Sequence, residues 1–340
     1  MVKWGIIGAS GVAHRRTMPA IKMADNNELH ALMVRDLGRA KKLAEEHGAS
    51  AYYDSVDDLL SDQEVDAVHI ATPVYLHCDH VIRAAEHGKH ILCEKPMAIN
   101  TDECKRMIDA CHENNVLLEI GFTLRFHPCF REIKQIAGSG ELGEIIEARS
   151  SLLKSYEIEE GAWRGNPAMS GGGVLMDMGA HAIDMLIYIL GDVSKVAMLG
   201  NSRIKGWQVE ETATVLLQME NGANAIADSS FVVPHTDITL ELYGTKGTLL
   251  LYNGKGYQEY IMKVYTDELK EEFKPTQNLY KNLVEHFSRC LDGDEDPVAP
   301  GIAGLKSTQV ISAAYESLAS GKIVQLNKET DTIQAFFKKA

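Results

Sequence analysis

The stretch Val2-Lys3-Trp4-Gly5-Ile6-Ile7-Gly8-Ala9-Ser10-Gly11-Val12-Ala13 decides how this chain folds. Residues 2–7 are apolar enough for a short buried strand, and Gly8 then turns the chain into an amphipathic run of helical period over 12–24. A strand, a glycine turn and a helix in that order expose backbone N–H groups at the helix start, where the helix dipole favours a bound phosphate. The full dinucleotide-binding pattern is Gly-x-Gly-x-x-Gly or Ala. Gly8 and Ala13 match its ends, Gly11 and Val12 lie inside it, and Ser10 replaces the middle glycine. The match is degenerate, so a tight turn with no ligand is the competing reading.

Outward from this turn, short apolar runs alternate with longer amphipathic ones as far as residue 120. Strands are expected over 2–7, 29–34, 65–71 and 90–93. Helices are expected over 12–24, over 36–47 with Gly48 as its stop, and over 75–87 ended by Gly88. Thr101 reads as a further N-cap, with Asp102 and Glu103 in the first turn. This alternation is the signature of a parallel sheet with helices on both faces. From residue 121 the runs alternate at period two between hairpin signals. Asn221-Gly222 suits a type I′ turn between strands at 212–219 and 223–231, and Gly244-Thr245-Lys246-Gly247 marks another turn. Helices interrupt this part near 177–190, 279–291 and 302–319. The expected fold is therefore α/β in two domains: residues 1–120 with a doubly wound parallel sheet, and residues 121–340 with an open, mainly antiparallel sheet. A length of 340 residues agrees, at roughly 100 to 200 residues per domain.

Composition narrows the partners. Apolar residues make up 45% and charged residues 24%, the balance of a globular protein rather than a disordered one. The 34 basic and 48 acidic residues give a net charge of −14, which repels polyanions and argues against nucleic acid or an anionic membrane as partner. The start carries no signal-peptide pattern and no uninterrupted apolar run approaches membrane-spanning length, so a cytoplasmic protein is expected. The 6 cysteines include no Cys-x-x-Cys pair and read as buried free thiols.

An acidic residue about 20 positions past the glycine turn ordinarily binds the adenosine ribose. That position falls on Val34, which accepts no hydrogen bond. Arg35 and Arg39 beside it could hold a 2′-phosphate instead, which favours NADP over NAD; the alternative gives the ribose to Asp36. Cys93-Glu94-Lys95-Pro96 closes a strand at its carboxyl end, the edge where open α/β sheets bind ligands, so the Lys95 ammonium can reach a substrate oxygen. Pro96 holds Lys95 extended and allows a cis bond. Downstream of Gly171-Gly172-Gly173, residues Asp177, His181 and Asp184 fall at i, i+4 and i+7, on one helix face. A carboxylate beside an imidazole suits proton transfer from an alcohol. The competing readings are a metal set, which this donor combination does not resemble, and a capping Asp177 with a structural His181. His77 and His80 read as surface residues at the cofactor edge, not metal ligands.

Taken together, these residues resemble the Gfo/Idh/MocA oxidoreductases, the family of glucose-fructose oxidoreductase and inositol dehydrogenase. The resemblance runs through Gly8 to Ala13, Ala71-Thr72-Pro73 with His77, Glu94-Lys95-Pro96, Trp163-Arg164, and Gly171 to Asp184. It implies an N-terminal Rossmann domain, a C-terminal domain whose sheet forms a homodimer or homotetramer, and hydride exchange between NAD or NADP and a sugar, polyol or related alcohol. By the same resemblance Lys95 and His181 handle the proton and Asp177 assists. Gly8, Ser10, Gly11, Val12, Ala13, Arg35, Arg39, Thr72, Pro73, His77, Glu94 and Lys95 would contact the cofactor. Arg125, Phe126, Trp163 and Arg164 would line the substrate site with Lys95, Asp177 and His181, and no metal is implied. Ser10 and Val34 depart from NAD-using members towards NADP-linked relatives such as anhydrofructose reductase. Two other activities occur among such proteins: a nicotinamide-dependent glycosidase using transient oxidation, and a cofactor-sensing regulator without turnover.

Overall fold

The computed structural model describes residues 1–234, 238–253, 259–267, 269–275 and 277–326; the end of the second expected domain, 327–340, lies outside the described residues. The chain forms two compact units. One comprises Met1–Arg131, Ala168–Gly171 and Gln277–Leu305, the other Glu132–Pro167, Gly172–Thr276 and Lys306–Ala340.

The first unit is built on six parallel strands: β1 (Val2–Ile7), β2 (Asn27–Met33), β3 (Ala51–Tyr53), β4 (Ala67–Ile70), β5 (His90–Cys93) and β6 (Leu118–Ile120). Their order is β3-β2-β1-β4-β5-β6, so the winding reverses between β1 and β4. All four residues of β4 are buried, as a strand covered on both faces requires. Helices Leu37–His47, His77–Glu86 and Thr101–Glu113 make crossovers close to the expected positions. Asp36 caps the first of them and Gly48, at φ 73°, ends it. The last is capped by Asn100, whose Oδ1 accepts the Glu103 N–H at 2.9 Å, and not by Thr101, which is already its first helical residue. Strand β3 and the helix Val56–Ser61 gave no sequence signal of their own, because three residues and six residues are too short to set a period.

Residues far down the chain complete this unit. Trp4, fully buried, packs 4.9 Å from the Phe287 ring on the helix Leu279–Leu291. Its indole N–H donates to Asn27 Oδ1 at 2.7 Å, and the Ser288 hydroxyl donates to the same oxygen at 2.7 Å.

In the second unit the strands are β7 (Ile145–Leu153), β8 (Val193–Asn201), β9 (Thr212–Met219), β10 (Asn224–Ser230), β11 (Ile238–Gly244), β12 (Thr248–Asn253), β13 (Glu259–Tyr265), β14 (Leu269–Pro275) and β15 (Val324–Gln325). They form one sheet in the order β14-β13-β12-β11-β7-β10-β9-β8-β15, antiparallel except for the β7–β10 pair. Strand β9 turns Ala213, Val215, Leu217 and Met219 inward and exposes Thr214 and Leu216, the alternation of a sheet covered on one face. The helix Ala180–Leu190 packs on β7 and β10. By length and composition the run Pro167–Leu190 could cross a membrane, but 72% of its apolar window is buried inside the protein, as in a core helix. Cys290 is half-buried and the other five cysteines are buried, and none of them forms a disulfide.

The β9–β10 hairpin differs from the type I′ expectation. Gly222 has φ 93°, but Asn221 is not among the non-glycine residues with positive φ. Gly222 N–H donates to Met219 O at 3.1 Å and Met219 N–H to Ala223 O at 2.8 Å, closing a three-residue loop. The Glu220 N–H donates to Asp192 O at 2.8 Å, a bond that draws Glu220 out of the two-residue geometry.

Trp4→Ala should cost about 3–5 kcal/mol, the usual penalty for emptying a large aromatic site. The expected result is a lower urea midpoint by circular dichroism; an unchanged midpoint would show that the contact with Phe287 carries no stability.

Candidate active site

The glycine turn leaves β1 at its carboxyl end. Gly8, at φ 85°, donates its N–H to Met33 O at 3.1 Å. A Cβ placed there would lie 2.9 Å from Thr72 Cγ2 and 3.1 Å from the Ala71 backbone, so only glycine lets these two loops approach. Gly11, at φ 53°, is exposed, and a Cβ there would meet nothing within 4 Å, so its backbone is open to a phosphate. Ser10 fits in place of the usual glycine: its N–H donates to Gly8 O at 2.6 Å and its carbonyl accepts the Ala13 N–H at 3.1 Å. Val12 is half-buried and Ala13 buried. The helix then opens with a π-turn, Ala13–Thr17, before Met18–Met23 continues as α-helix. Bare backbone at a helix start fits the pyrophosphate of a dinucleotide.

Val34 directly follows β2. Asp36 Oδ1 accepts the Arg39 N–H at 2.7 Å, so this carboxylate serves the helix start. Arg35 and Arg39 are exposed, and among the described residues neither pairs with a carboxylate.

The loops after β4 and β5 are tied together by His77. Its Nε2 lies 2.8 Å from Thr72 O, and its Nδ1 lies 3.1 Å from Pro96 O and 3.3 Å from Met97 O. The ring is 1% exposed, and burial lowers its pKa against the opposing pull of those carbonyls. His80 is buried too, its Nδ1 3.1 Å from the Thr72 hydroxyl, and burial pushes its pKa down to about 4. The surface expectation for both histidines is thus corrected: they pin the loops from inside. Thr72 and Pro73 are half-exposed. Glu94 is buried with its Oε1 3.4 Å from His69 Nε2, while Lys95 is half-buried and its bond to Pro96 is cis.

Arg125 and Phe126 depart from their expected substrate role. Arg125, 6% exposed, donates through its guanidinium to Val298 O at 2.7 Å and stacks over the Phe122 ring. Phe126, 1% exposed, packs 5.1 Å from the His286 ring. Both are interior residues of the first unit, closed in by residues around 286 and 298 that return to it late in the chain.

In the second unit, Gly172 and Gly173 lead into a π-turn, Leu175–Gly179, continued by Ala180–Leu190. Between Val174 and Ile187 every residue is buried except Asp177 and His181. Asp184, expected on the same face, is buried at 1% exposure. Arg164 Nε lies 3.5 Å from Asp177 Oδ2, and its guanidinium sits 4.3 Å from the centre of the Trp163 ring. One residue escaped the sequence reading: Glu210, whose carboxylate accepts the N–H groups of Gly173 and Leu175. Its only signal is a position just before a strand, which names no role. Among the described residues, His14, Glu46 and His47 and also Glu119, His286 and Cys290 come close enough to share a metal ion; neither group includes Asp177 or His181.

Two family models match the chain: an NAD-binding Rossmann-fold oxidoreductase family over residues 2–122, and the GFO/IDH/MocA C-terminal domain over residues 130–250. An NADP-dependent D-xylose 1-dehydrogenase of Haloferax volcanii is 32% identical over 95% of this chain and 99% of its own length. An NAD-dependent scyllo-inositol 2-dehydrogenase of Bacillus subtilis is 27% identical over 85% of this chain and 86% of its own. Among solved structures, an aldose-aldose oxidoreductase of Caulobacter crescentus complexed with glycerol aligns with a TM-score of 0.88 at 28% identity, covering 96% of this chain and 99% of that one.

Gly8→Val should weaken binding of the dinucleotide by at least about tenfold, since it adds a clash and a forbidden φ at one position; isothermal titration checks it. The buried histidines set a pH dependence. His80 and His127 are both pushed by burial from 6.5 to about 4. With the folded pKa below the unfolded one, their contribution is complete above pH 6.5 and is lost as pH falls towards 4. His80→Gln should flatten that part of a stability-versus-pH curve.

Proposed function

The chain belongs to the Gfo/Idh/MocA family and is an NAD(P)-dependent oxidoreductase acting on CH–OH groups, and from that premise we propose how its own residues divide the work on a sugar or polyol. The observation that carries the reading is the pair Asp177 and His181, the two solvent-open positions on an otherwise buried helical run. When bound, the dinucleotide supplies the hydride acceptor at its nicotinamide. In the oxidation direction His181 accepts the hydroxyl proton, Lys95 donates a hydrogen bond to that oxygen, and Asp177 favours the protonated imidazole. Arg164 pairs with the Asp177 carboxylate at 3.5 Å, and the Trp163 ring under Arg164 offers an apolar face of the kind that stacks on a sugar. A net charge of −14 supports a neutral substrate over an anionic one.

Gly8, Ser10, Gly11, Val12 and Ala13 would hold the pyrophosphate, with Thr72, Pro73, Glu94 and Lys95 along the same sheet edge. His77 serves this edge from beneath by fixing the Thr72 and Pro96 carbonyls. Arg35 and Arg39 would take a 2′-phosphate, which supports NADP as the preferred cofactor, since the Asp36 carboxylate is engaged by the Arg39 N–H. The open side of the second sheet, with Leu199 and Leu216 at 78% and 53% exposure, is the face proposed for pairing with further copies.

Lys95→Ala and His181→Ala should each lower kcat by about 10² to 10⁴ while the dinucleotide binds nearly as before. Near-parental turnover in either variant, with sugars and polyols screened by nicotinamide absorbance, would remove that residue from the mechanism. The double substitution Arg35→Ala/Arg39→Ala should weaken NADP on the order of tenfold and leave NAD little changed. Equal losses for both cofactors would contradict the NADP assignment.

A further inference from the structure

We propose that Glu210 is a positioning residue of the reaction: its carboxylate, itself held by Tyr315, fixes the start of the helical run that carries Asp177 and His181. The inference rests on the catalytic reading of those two residues given above.

A helix start leaves several backbone N–H groups without intrahelical acceptors. Here three consecutive ones end on a single residue. Glu210 Oε1 accepts the N–H of Gly173 at 3.1 Å and of Leu175 at 3.0 Å, and Oε2 accepts Gly173 at 2.9 Å. The Glu210 main-chain carbonyl accepts the Val174 N–H between them at 2.9 Å. The residue lies 37 positions from Gly173, so this is a tertiary contact and not a local cap. Tyr315 completes it from a third part of the chain, donating its hydroxyl to Oε1 at 2.8 Å and accepting the Gly173 N–H at 3.2 Å.

The glycines follow from this arrangement. A Cβ on Gly172 would lie 1.8 Å from the Tyr315 hydroxyl oxygen, and one on Gly173 would lie 2.0 Å from the Glu210 carbonyl oxygen. Gly172-Gly173 therefore admits Glu210 and Tyr315 to the backbone; it is a close-approach site rather than a hinge. Burial raises the pKa of Glu210, opposed by the backbone and Tyr315 donors that stabilise its charged form.

The site depends on this clamp because Asp177 comes directly after it. The Asp177 N–H donates to Gly173 O at 3.2 Å, so a displacement at residues 173–175 reaches Asp177 through one bond. The π-turn Leu175–Gly179 then sets the phase between Asp177 and His181. A shift of an ångström in such a group costs on the order of 10² in rate.

The test compares Glu210→Ala, Glu210→Gln and His181→Ala in the full chain, by kinetics, by dinucleotide titration and by amide hydrogen exchange. Glu210→Ala should lower kcat on the order of 10²-fold, with sugar KM and dinucleotide Kd within about threefold of the parent. Glu210→Gln keeps an acceptor oxygen at the same reach and should recover about tenfold of that loss. Exchange at residues 173–177 should quicken at least about tenfold in Glu210→Ala and stay unchanged in Leu37–His47. Parental kcat in Glu210→Ala beside an inactive His181→Ala overturns the proposal. So does a loss of kcat that leaves local exchange unchanged or that Glu210→Gln fails to relieve. An active His181→Ala instead overturns the catalytic reading, and the exchange measurement then reports separately whether Glu210 holds the helix start.

Discussion

Two parallel strands can be joined only by a connection that crosses one face of the sheet, and from this constraint the first unit takes its working edge. The winding from β1 runs outward through β2 to β3 and then returns to β4 on the other side. The loops leaving β1 and β4 therefore part at their carboxyl ends. Gly8 brings those loops into contact where a side chain would clash with Thr72, and His77 joins the β4 loop to the β5 loop that carries Lys95. The edge is thus a set of backbones held by small and buried residues, and the exposed Gly11 and the half-buried Lys95 are carried on it without filling the core.

The second unit reaches a comparable result by different means. Its sheet is mainly antiparallel and covered on one side, so it has no switch point to shape a site. The chemistry proposed for it lies instead at one helix start, where between Val174 and Ile187 only Asp177 and His181 are not fully buried. In both units the helix of the candidate site carries a π-turn near its start, which adds a residue to one winding and rotates the turns that follow.

The order of elements, the glycine turn and the Asp177–His181 pair were legible in the sequence because each depends on residues close together in the chain. Asn100 took the cap from Thr101 within one step, and Glu220 was drawn from the expected hairpin by the Asp192 carbonyl beside the adjoining strand. Period alone could not tell the buried Asp184 from the half-exposed Asp177, because both fit one face of an ideal helix. Glu210 and Tyr315 stayed silent for a different reason: they act across separations of 37 and 142 positions, where no spacing rule applies. The triple glycine was visible as a motif, but its cause lay in side chains elsewhere.

The contact of Trp4 with Phe287 has a consequence for how the protein is made. The first strand leaves the ribosome well before the helix that seals its tryptophan, which emerges only after nearly all of the second sheet. During that interval Trp4 lacks the Phe287 ring that packs against it in the finished unit, and exposed apolar surface of this kind favours association. The second unit waits in the same way for Tyr315 to lock its helix start. Neither unit is therefore complete before its last segment emerges, Gln277–Leu305 for the first and the helix around Tyr315 for the second.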